Sequence, residues 1–202
     1  DRARADGIPV QLTAELGMLG YTPTAADPYI FNQRVFPTTS MLADAQTVLG
    51  MIVGGPGTGV VGCLGAAQVD SLGNLNSTDI PGGPFLVGSG GANDVASRAA
   101  ACVVIVLAKP ERLVERVGYV TSPGRTVESI ATDLGVLRRR DGIFRIDAVT
   151  AGSDPVEERV KRFRASCGWD VEVSVGVQDL APACTGDVIA LRRYDPEGLF
   201  LN

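Results

Sequence analysis

Val103-Val104-Ile105-Val106-Leu107 is an uninterrupted apolar run between polar and glycine-rich segments. It is too short for a typical helix and rich in β-branched residues. A run of this kind reads as a strand buried on both faces of a mainly parallel sheet. Its approach strengthens that reading. Phe85-Leu86-Val87 leads into Gly88-Ser89-Gly90-Gly91, which opens a helix-like stretch from Ala92 to Ala101. A strand, a glycine turn, a helix and a buried strand in sequence point to an α/β fold, with a mainly parallel sheet flanked by helices.

Other segments fit the same class. Ile8 to Thr13 reads as a short strand, with Pro9 tolerable only near its start. Tyr21 to Pro37, rich in Pro, aromatic and polar residues, reads as a long ordered loop. Ser40 is placed to cap a helix from Met41 to about Leu49, with Asp44 in its first turn. Gly59 to Asp70 is β-like, Ser71 to Asn74 a turn, and Leu75 to Thr78 a returning strand. Arg112 to Val120 is a further strand. Val136 to Arg140 and Ile143 to Val149 form a hairpin around Asp141-Gly142, a type I′ signal. Asp154 caps a helix from Pro155 to about Ala165, with Val160 and Phe163 on one face. Trp169 to Val175 alternates as a strand, and Trp169 reads as a core or edge aromatic. After Val177 the chain reads as a tail with local structure. The 202 residues are enough for a single domain with a sizeable core, or at most two small ones.

Composition removes several function classes. The chain has no histidine, four cysteines without a Cys-x-x-Cys pair, and a net charge of −5. A structural zinc site is therefore not expected, and no metal ligands are assigned. Cys63 and Cys102 lie in apolar runs and read as buried small hydrophobes. The scattered cysteines favour a reducing, cytoplasmic setting. An acidic chain gains nothing from a phosphate backbone, so no nucleic-acid partner is expected. The run Arg138-Arg139-Arg140 reads as decoration of a solvated strand. No apolar stretch approaches the roughly 20 residues needed to cross a bilayer as a helix, so no membrane association is expected.

Two motifs have competing readings. Gly57-Thr58-Gly59-Val60-Val61-Gly62 matches the dinucleotide fingerprint, but the stretch after it is β-like. Without a helix N-terminus a pyrophosphate has no amide cluster, and a glycine-rich turn into a strand is the plainer reading. Gly88 to Asp94 is a better site, because glycine backbone between a strand and a helix can turn N–H donors toward an oxyanion. The competing reading is a tight turn. Glu15 follows the first strand and precedes Gly17. A carboxylate held there can serve as a nucleophile toward an activated acyl group, or stand as a surface residue opening a turn.

Four segments in order resemble class I coenzyme A transferases, specifically the beta-type subunit or C-terminal half found in glutaconate, acetate and 3-oxoacid transferases. Glu15-Leu16-Gly17-Met18-Leu19-Gly20 looks like the segment carrying that family's catalytic glutamate. Gly65 to Asp70 with Gly73 to Asn76 looks like its strand–turn–strand element, and Gly88 to Asp94 like its glycine-rich loop. Tyr119-Val120-Thr121-Ser122-Pro123-Gly124 is similar to the segment beyond that loop.

The resemblance implies the CoA-transferase fold and a ping-pong exchange of coenzyme A between an acyl-CoA and an acceptor carboxylic acid. Coenzyme A is then a substrate, not a resident cofactor. Glu15 is the implied catalytic residue, carrying a glutamyl-CoA thioester. This route suits a chain without histidine, because a carboxylate is already ionised near neutral pH. Gly88, Ser89, Gly90, Gly91, Ala92 and Asn93 are the implied coenzyme A side of the site, with Gly17 beside the carboxylate. An alpha-type subunit or domain is the implied partner, in an oligomer. Leu16 stands where many members have Asn. The upstream glycine-rich strand of the beta half has no counterpart, and no alpha-type half is present. A fragment or half of a larger enzyme, incomplete alone, is therefore expected. Two other functions stay open: an acyl-CoA hydrolase of the same fold, and a non-catalytic half that binds coenzyme A or the partner. Arg34, with Tyr29 and Phe31, is near enough to Glu15 in sequence to shape the acid pocket, Arg34 by pairing with a substrate carboxylate. A plain surface arginine is the competing reading.

Overall fold

The computed structural model describes residues 2–23 and 33–198. Most of the loop expected from Tyr21 to Pro37, including Tyr29 and Phe31, lies outside the described residues. The chain divides into two compact units, residues 1–51 with 183–202, and residues 52–182.

The first unit begins with a short helix α1 (Arg2–Ala5). Three two-residue strands come next, β1 (Thr13–Ala14), β2 (Met18–Leu19) and β3 (Met41–Leu42), paired antiparallel in that order. The strand expected over Ile8–Thr13 thus forms only at its end. Ala14, Met18, Tyr21 and Val35 make a small core. Gln33–Thr38 is a 3-10 helix with Pro37 inside it. The helix expected from Met41 starts later and is wider. Met41–Leu42 is strand, and a π-type helix runs over Thr47–Val53. Its cap is Asp44, whose Oδ1 accepts the Thr47 N–H at 2.7 Å. A hydrogen-bonded side chain at that point fixes the start better than Ser40, whose hydroxyl donates to the Gly20 carbonyl instead.

The second unit contains β4 (Val61–Gly65), β5 (Gln68–Asp70), β6 (Leu75–Asn76), α2 (Ala92–Arg98), β7 (Ala101–Ile105), β8 (Leu113–Val114), β9 (Val127–Ala131), β10 (Gly135–Arg140), β11 (Ile143–Thr150), α3 (Val156–Ala165) and β12 (Glu172–Leu180). The main sheet has the order β12-β11-β10-β9-β7-β4. It is mixed: β4, β7 and β9 run parallel, β9-β10-β11 antiparallel, and β12 parallel to β11. A second sheet has the order β6-β5-β8. The fold is α/β as expected. The last described element, in the first unit, is α4 (Thr185–Tyr194), more structure than the expected tail.

One core joins the sheets to the helices. It holds Val69, Leu75 and Leu113 of the small sheet, Ala96 of α2 and Phe163 of α3. Cys102, Val104, Ile130, Leu137 and Ile146 of the main sheet also belong to it. Gly62 makes the helix contact possible. A Cβ there would lie 2.3 Å from Val95 Cγ1, so only glycine lets α2 lie this close to β4. This is the physical role of the last glycine in the fingerprint-like motif, whose turn leads into strand β4 rather than into a helix.

The apolar run departs from expectation in an informative way. Cys102 and Val104 are fully buried, but Ile105 and Leu107 are 60% and 47% exposed. In β4 Val61 and Cys63 are exposed too, so Cys63 is not the buried hydrophobe expected from its neighbours. Strand residues alternate between faces, and one face here packs on α2 while the other is uncovered in this chain. The Arg112–Val120 strand is only Leu113–Val114, because the next segment turns to serve the hairpin network around Thr121. Asp141 and Gly142 have φ of 51° and 85°, the type I′ turn expected of them. The residue flanking α3 is Pro155 itself, and the Asp154 carboxylate pairs with Arg162 rather than capping. Trp169 packs partly buried against the core.

Candidate active site

Glu15 occupies the turn between β1 and β2, where Ala14 pairs with Met18. The Gly17 N–H donates to the Ala14 carbonyl at 3.0 Å and closes the turn. Gly17 has φ 124°, and a Cβ on it would sit 1.9 Å from the Ala43 carbonyl oxygen. The Ala43 N–H donates to the Gly17 carbonyl at 2.8 Å. Glycine is therefore required on two counts, backbone angle and space. Because its amide is already bonded to Ala14, Gly17 sets the turn rather than solvating the carboxylate.

The Glu15 carboxylate is half-buried and makes no hydrogen bond or ion pair among the described residues. Its one described electrostatic neighbour is the buried phenol of Tyr21. Burial raises the Tyr21 pKa, and the Glu15 charge adds to the rise. In the sequence Tyr21 reads only as the start of a loop. A single aromatic without periodicity carries no signal of its neighbour. Leu16, beside the carboxylate, is 54% exposed. Arg34 is exposed.

The glycine loop lies in the second unit. Gly88, Ser89 and Gly90 are exposed, and Gly90 takes φ 51°. Added Cβ atoms at Gly88 and Gly90 would meet nothing within 4 Å, so the backbone there stands open. Gly91 forms the N-terminal boundary of α2 without a side-chain cap. Ala92 N–H donates back to the Ser89 carbonyl at 3.2 Å. The Asn93 amide donates to the Thr121 carbonyl at 3.1 Å, so this side chain anchors the loop.

Thr121 is the hub of a buried polar network. Its hydroxyl donates to Thr78 Oγ1 at 2.9 Å and accepts from the Ser77 N–H at 2.9 Å. Asn76 Oδ1 accepts from the N–H groups of Thr78 and Asp79. Leu75 exchanges backbone bonds with Thr121 and Ser122. Asp70 folds the preceding turn by accepting from the Leu72 and Asn74 N–H groups at 3.0 and 2.9 Å. Gly124 fits so closely under this turn that a Cβ would lie 1.7 Å from the Gly73 carbonyl oxygen. Three of the four segments singled out in the sequence, the hairpin, the glycine loop and Tyr119–Gly124, are thus one bonded assembly.

Arg139 braces it. Its guanidinium donates to the Val127, Leu72 and Gly124 carbonyls and stacks 4.5 Å from the Phe144 ring centroid. Burial lowers its pKa, with Glu128 and Asp70 opposing. Only its neighbours Arg138 and Arg140, both paired with Asp147, fit the solvated strand expected for the run. Alternation of faces along β10 explains the split. Among the described residues no group of three or more Cys, Asp or Glu is placed to hold a metal ion, and no helix is long and apolar enough to cross a membrane.

The architecture matches solved structures closely. Glutaconate coenzyme A-transferase from Acidaminococcus fermentans superposes with a TM-score of 0.78 at 21% identity, over 93% of this chain and 80% of that one. The decarboxylase AibA/AibB superposes with a TM-score of 0.74 at 21% identity, over 94% of this chain and 78% of that one. These likenesses define the fold.

The chain belongs to the coenzyme A transferase family, whose model matches residues 50–160, more than half of its length. Among relatives, the B subunit of 3-oxoadipate CoA-transferase from Pseudomonas knackmussii is 26% identical, over 92% of this chain and 77% of its own length. The B subunit of glutaconate CoA-transferase from Acidaminococcus fermentans is 37% identical, over 71% of this chain and 60% of its own length.

Proposed function

We propose that this chain is the beta-type half of a coenzyme A transferase, with Glu15 as the covalent acyl and CoA carrier. The reading rests most directly on the Glu15 carboxylate. It stands on a turn that Gly17 locks, and it is committed to no partner among the described residues. The B-subunit relatives supply the reaction class.

In the first step a Glu15 carboxylate oxygen attacks the thioester carbon of an acyl-CoA. The C–S bond breaks, leaving an acyl-glutamyl anhydride and the CoA thiolate. The thiolate then attacks the glutamyl carbonyl, releasing the first acid as its carboxylate and forming a glutamyl-CoA thioester. An acceptor carboxylate attacks that thioester, and CoA leaves again as thiolate. Its attack on the acceptor acyl group restores free Glu15. The open amides of Gly88, Ser89, Gly90 and Gly91 are suited to the coenzyme A side of the exchange. Ala92 and Asn93 hold the loop at the start of α2. An alpha-type subunit, as the relatives' B-subunit names imply for them, completes the site in an oligomer. The four free thiols suit a reducing, cytoplasmic setting.

The test is chemical trapping. The chain mixed with an alpha-type partner and acyl-CoA, then quenched with borohydride, yields a peptide reduced at Glu15 by mass spectrometry. Modification at another residue, or full exchange by Glu15→Ala, refutes the assignment.

A hydrolase is the second reading, favoured by exposed, apolar Leu16 beside the carboxylate. That AibA/AibB is a decarboxylase shows the fold accommodating other chemistry. CoA release without any acceptor acid identifies hydrolysis, and strict acceptor dependence excludes it.

A further inference from the structure

The second unit has a cleft of ≈ 410 Å³ that the proposed transfer chemistry does not use. Its walls are the glycine loop Gly54–Gly59, the end of α2 and the turn at Arg125-Thr126. These segments lead into β4, β7 and β9. The cleft therefore lies at the N-terminal ends of the three parallel strands. Ligands of open α/β sheets ordinarily bind at the carboxyl ends.

Its lining is cationic. Arg98 and Arg125 are both exposed there, and neither forms an ion pair among the described residues. Asp94, one helical turn before Arg98, is not within pairing distance of it. Across from them, Gly57 and Gly59 take φ of 76° and 64°, with open space where a Cβ would be. The N–H groups of Gly57, Thr58 and Gly59 make no hydrogen bond among the described residues. Left-handed glycines that turn successive amides outward form anion-binding concavities. The end of α2 presents carbonyls, which repel an anion with roughly half a charge. Two full guanidinium charges outweigh that. On a chain of net charge −5, two arginines without an ion pair among the described residues thus face one glycine loop.

We propose that this cleft binds a phosphate or diphosphate group. Paired guanidiniums bind two faces of such a group through charge-assisted bonds, and the loop amides bind a third. The group belongs to a free phosphorylated compound or to coenzyme A itself. The site stands on its own geometry and does not depend on the assignment of Glu15.

Calorimetric titration of the whole chain with inorganic pyrophosphate tests this. Binding is expected that weakens with added salt. Arg98→Gln and Arg125→Gln each lower the affinity by at least ~10-fold, and the double variant abolishes it. Thr58→Glu, which leaves both arginines in place, does the same through repulsion. Melting curves confirm that the variants are folded. Displacement of pyrophosphate by coenzyme A assigns the group to that substrate, and failure to displace it assigns a free phosphorylated compound. Absence of pyrophosphate binding, unchanged affinity in the double variant, or tighter binding of glutarate than of pyrophosphate overturns the proposal.

Discussion

Gly17→Ala is the most informative single change near Glu15. The added Cβ meets the Ala43 carbonyl oxygen at 1.9 Å and its carbon at 2.9 Å, so the neighbouring backbone has to move by about an ångström or the turn has to open. A side chain at φ 124° adds strain at least as large as the left-handed penalty of ~1–2 kcal/mol. Movement breaks the Ala43-to-Gly17 bond at 2.8 Å and the Gly17-to-Ala14 bond at 3.0 Å. Each is worth ~1 kcal/mol. The sum is about 3–4 kcal/mol, enough to open these short strands locally before the molecule unfolds. Hydrogen exchange followed by mass spectrometry reads this directly. Peptides covering Thr13–Leu19 and Met41–Ala43 exchange at least ~100-fold faster in the variant, since 1.4 kcal/mol is tenfold. Gly50→Ala is the control in the same unit. It meets nothing within 4 Å, so it is neutral or stabilising by a few tenths to ~1 kcal/mol. Exchange in Gly17→Ala that matches the parent protein refutes the geometry of the Glu15 turn.

Glu15→Gln keeps the shape and removes the nucleophile. Acyl-CoA exchange with an alpha-type partner falls at least ~10³-fold, while the melting curve is unchanged. Asp70→Ala leaves the part-buried N–H groups of Leu72 and Asn74 without their acceptor and costs about 1–3 kcal/mol, measured by urea denaturation. Thr121→Val removes the hub hydroxyl and strands the Ser77 N–H, costing about 1–3 kcal/mol. The proposed glycine-loop role adds a further outcome, a raised KM for acyl-CoA. Thiols give the pH dependence. Burial pushes Cys102 up to about 11, with Cys63 adding to the rise, and pushes Cys167 up to about 12. A folded-state pKa above the unfolded one stabilises fully below the ordinary thiol range near 9, and that stability is lost as pH rises toward 11–12. Iodoacetamide at pH 8 therefore labels exposed Cys63 and Cys184 and spares Cys102 and Cys167 until the chain unfolds.

The features legible in the sequence were local. The Asp141-Gly142 turn, the Gln68–Asn76 hairpin and the glycine turn into α2 depend on residues adjacent in the chain, and each formed where expected. Misplaced elements had their cause elsewhere. The helix expected at Met41 lost its start because Met41 and Leu42 pair with Leu19 and Met18, far back in sequence. Arg139 was invisible as a brace because its acceptors, Leu72 and Gly124, come from distant segments. A three-arginine run gives no hint that its middle member turns inward.

The apolar run carries the same lesson one level up. Five consecutive apolar residues match a strand covered on both faces. In β7 one face meets α2, while Ile105 and, in neighbouring β4, Val61 are left 60% and 58% exposed. Composition along a strand records how much of it is apolar, but not which surface covers it. Glu15 poses that problem for chemistry. Its neighbours in sequence explain the locked turn, through Gly17, and not the substrate that the carboxylate meets. Turn and substrate therefore need separate tests. Gly17→Ala reads the turn without any substrate, and Glu15→Gln reads the chemistry without disturbing the turn. Lost exchange in both variants with faster hydrogen exchange only in the first assigns the two roles to the two residues. Full acyl-CoA exchange by Gly17→Ala, despite an opened turn, shows that the locked geometry is not what makes Glu15 reactive.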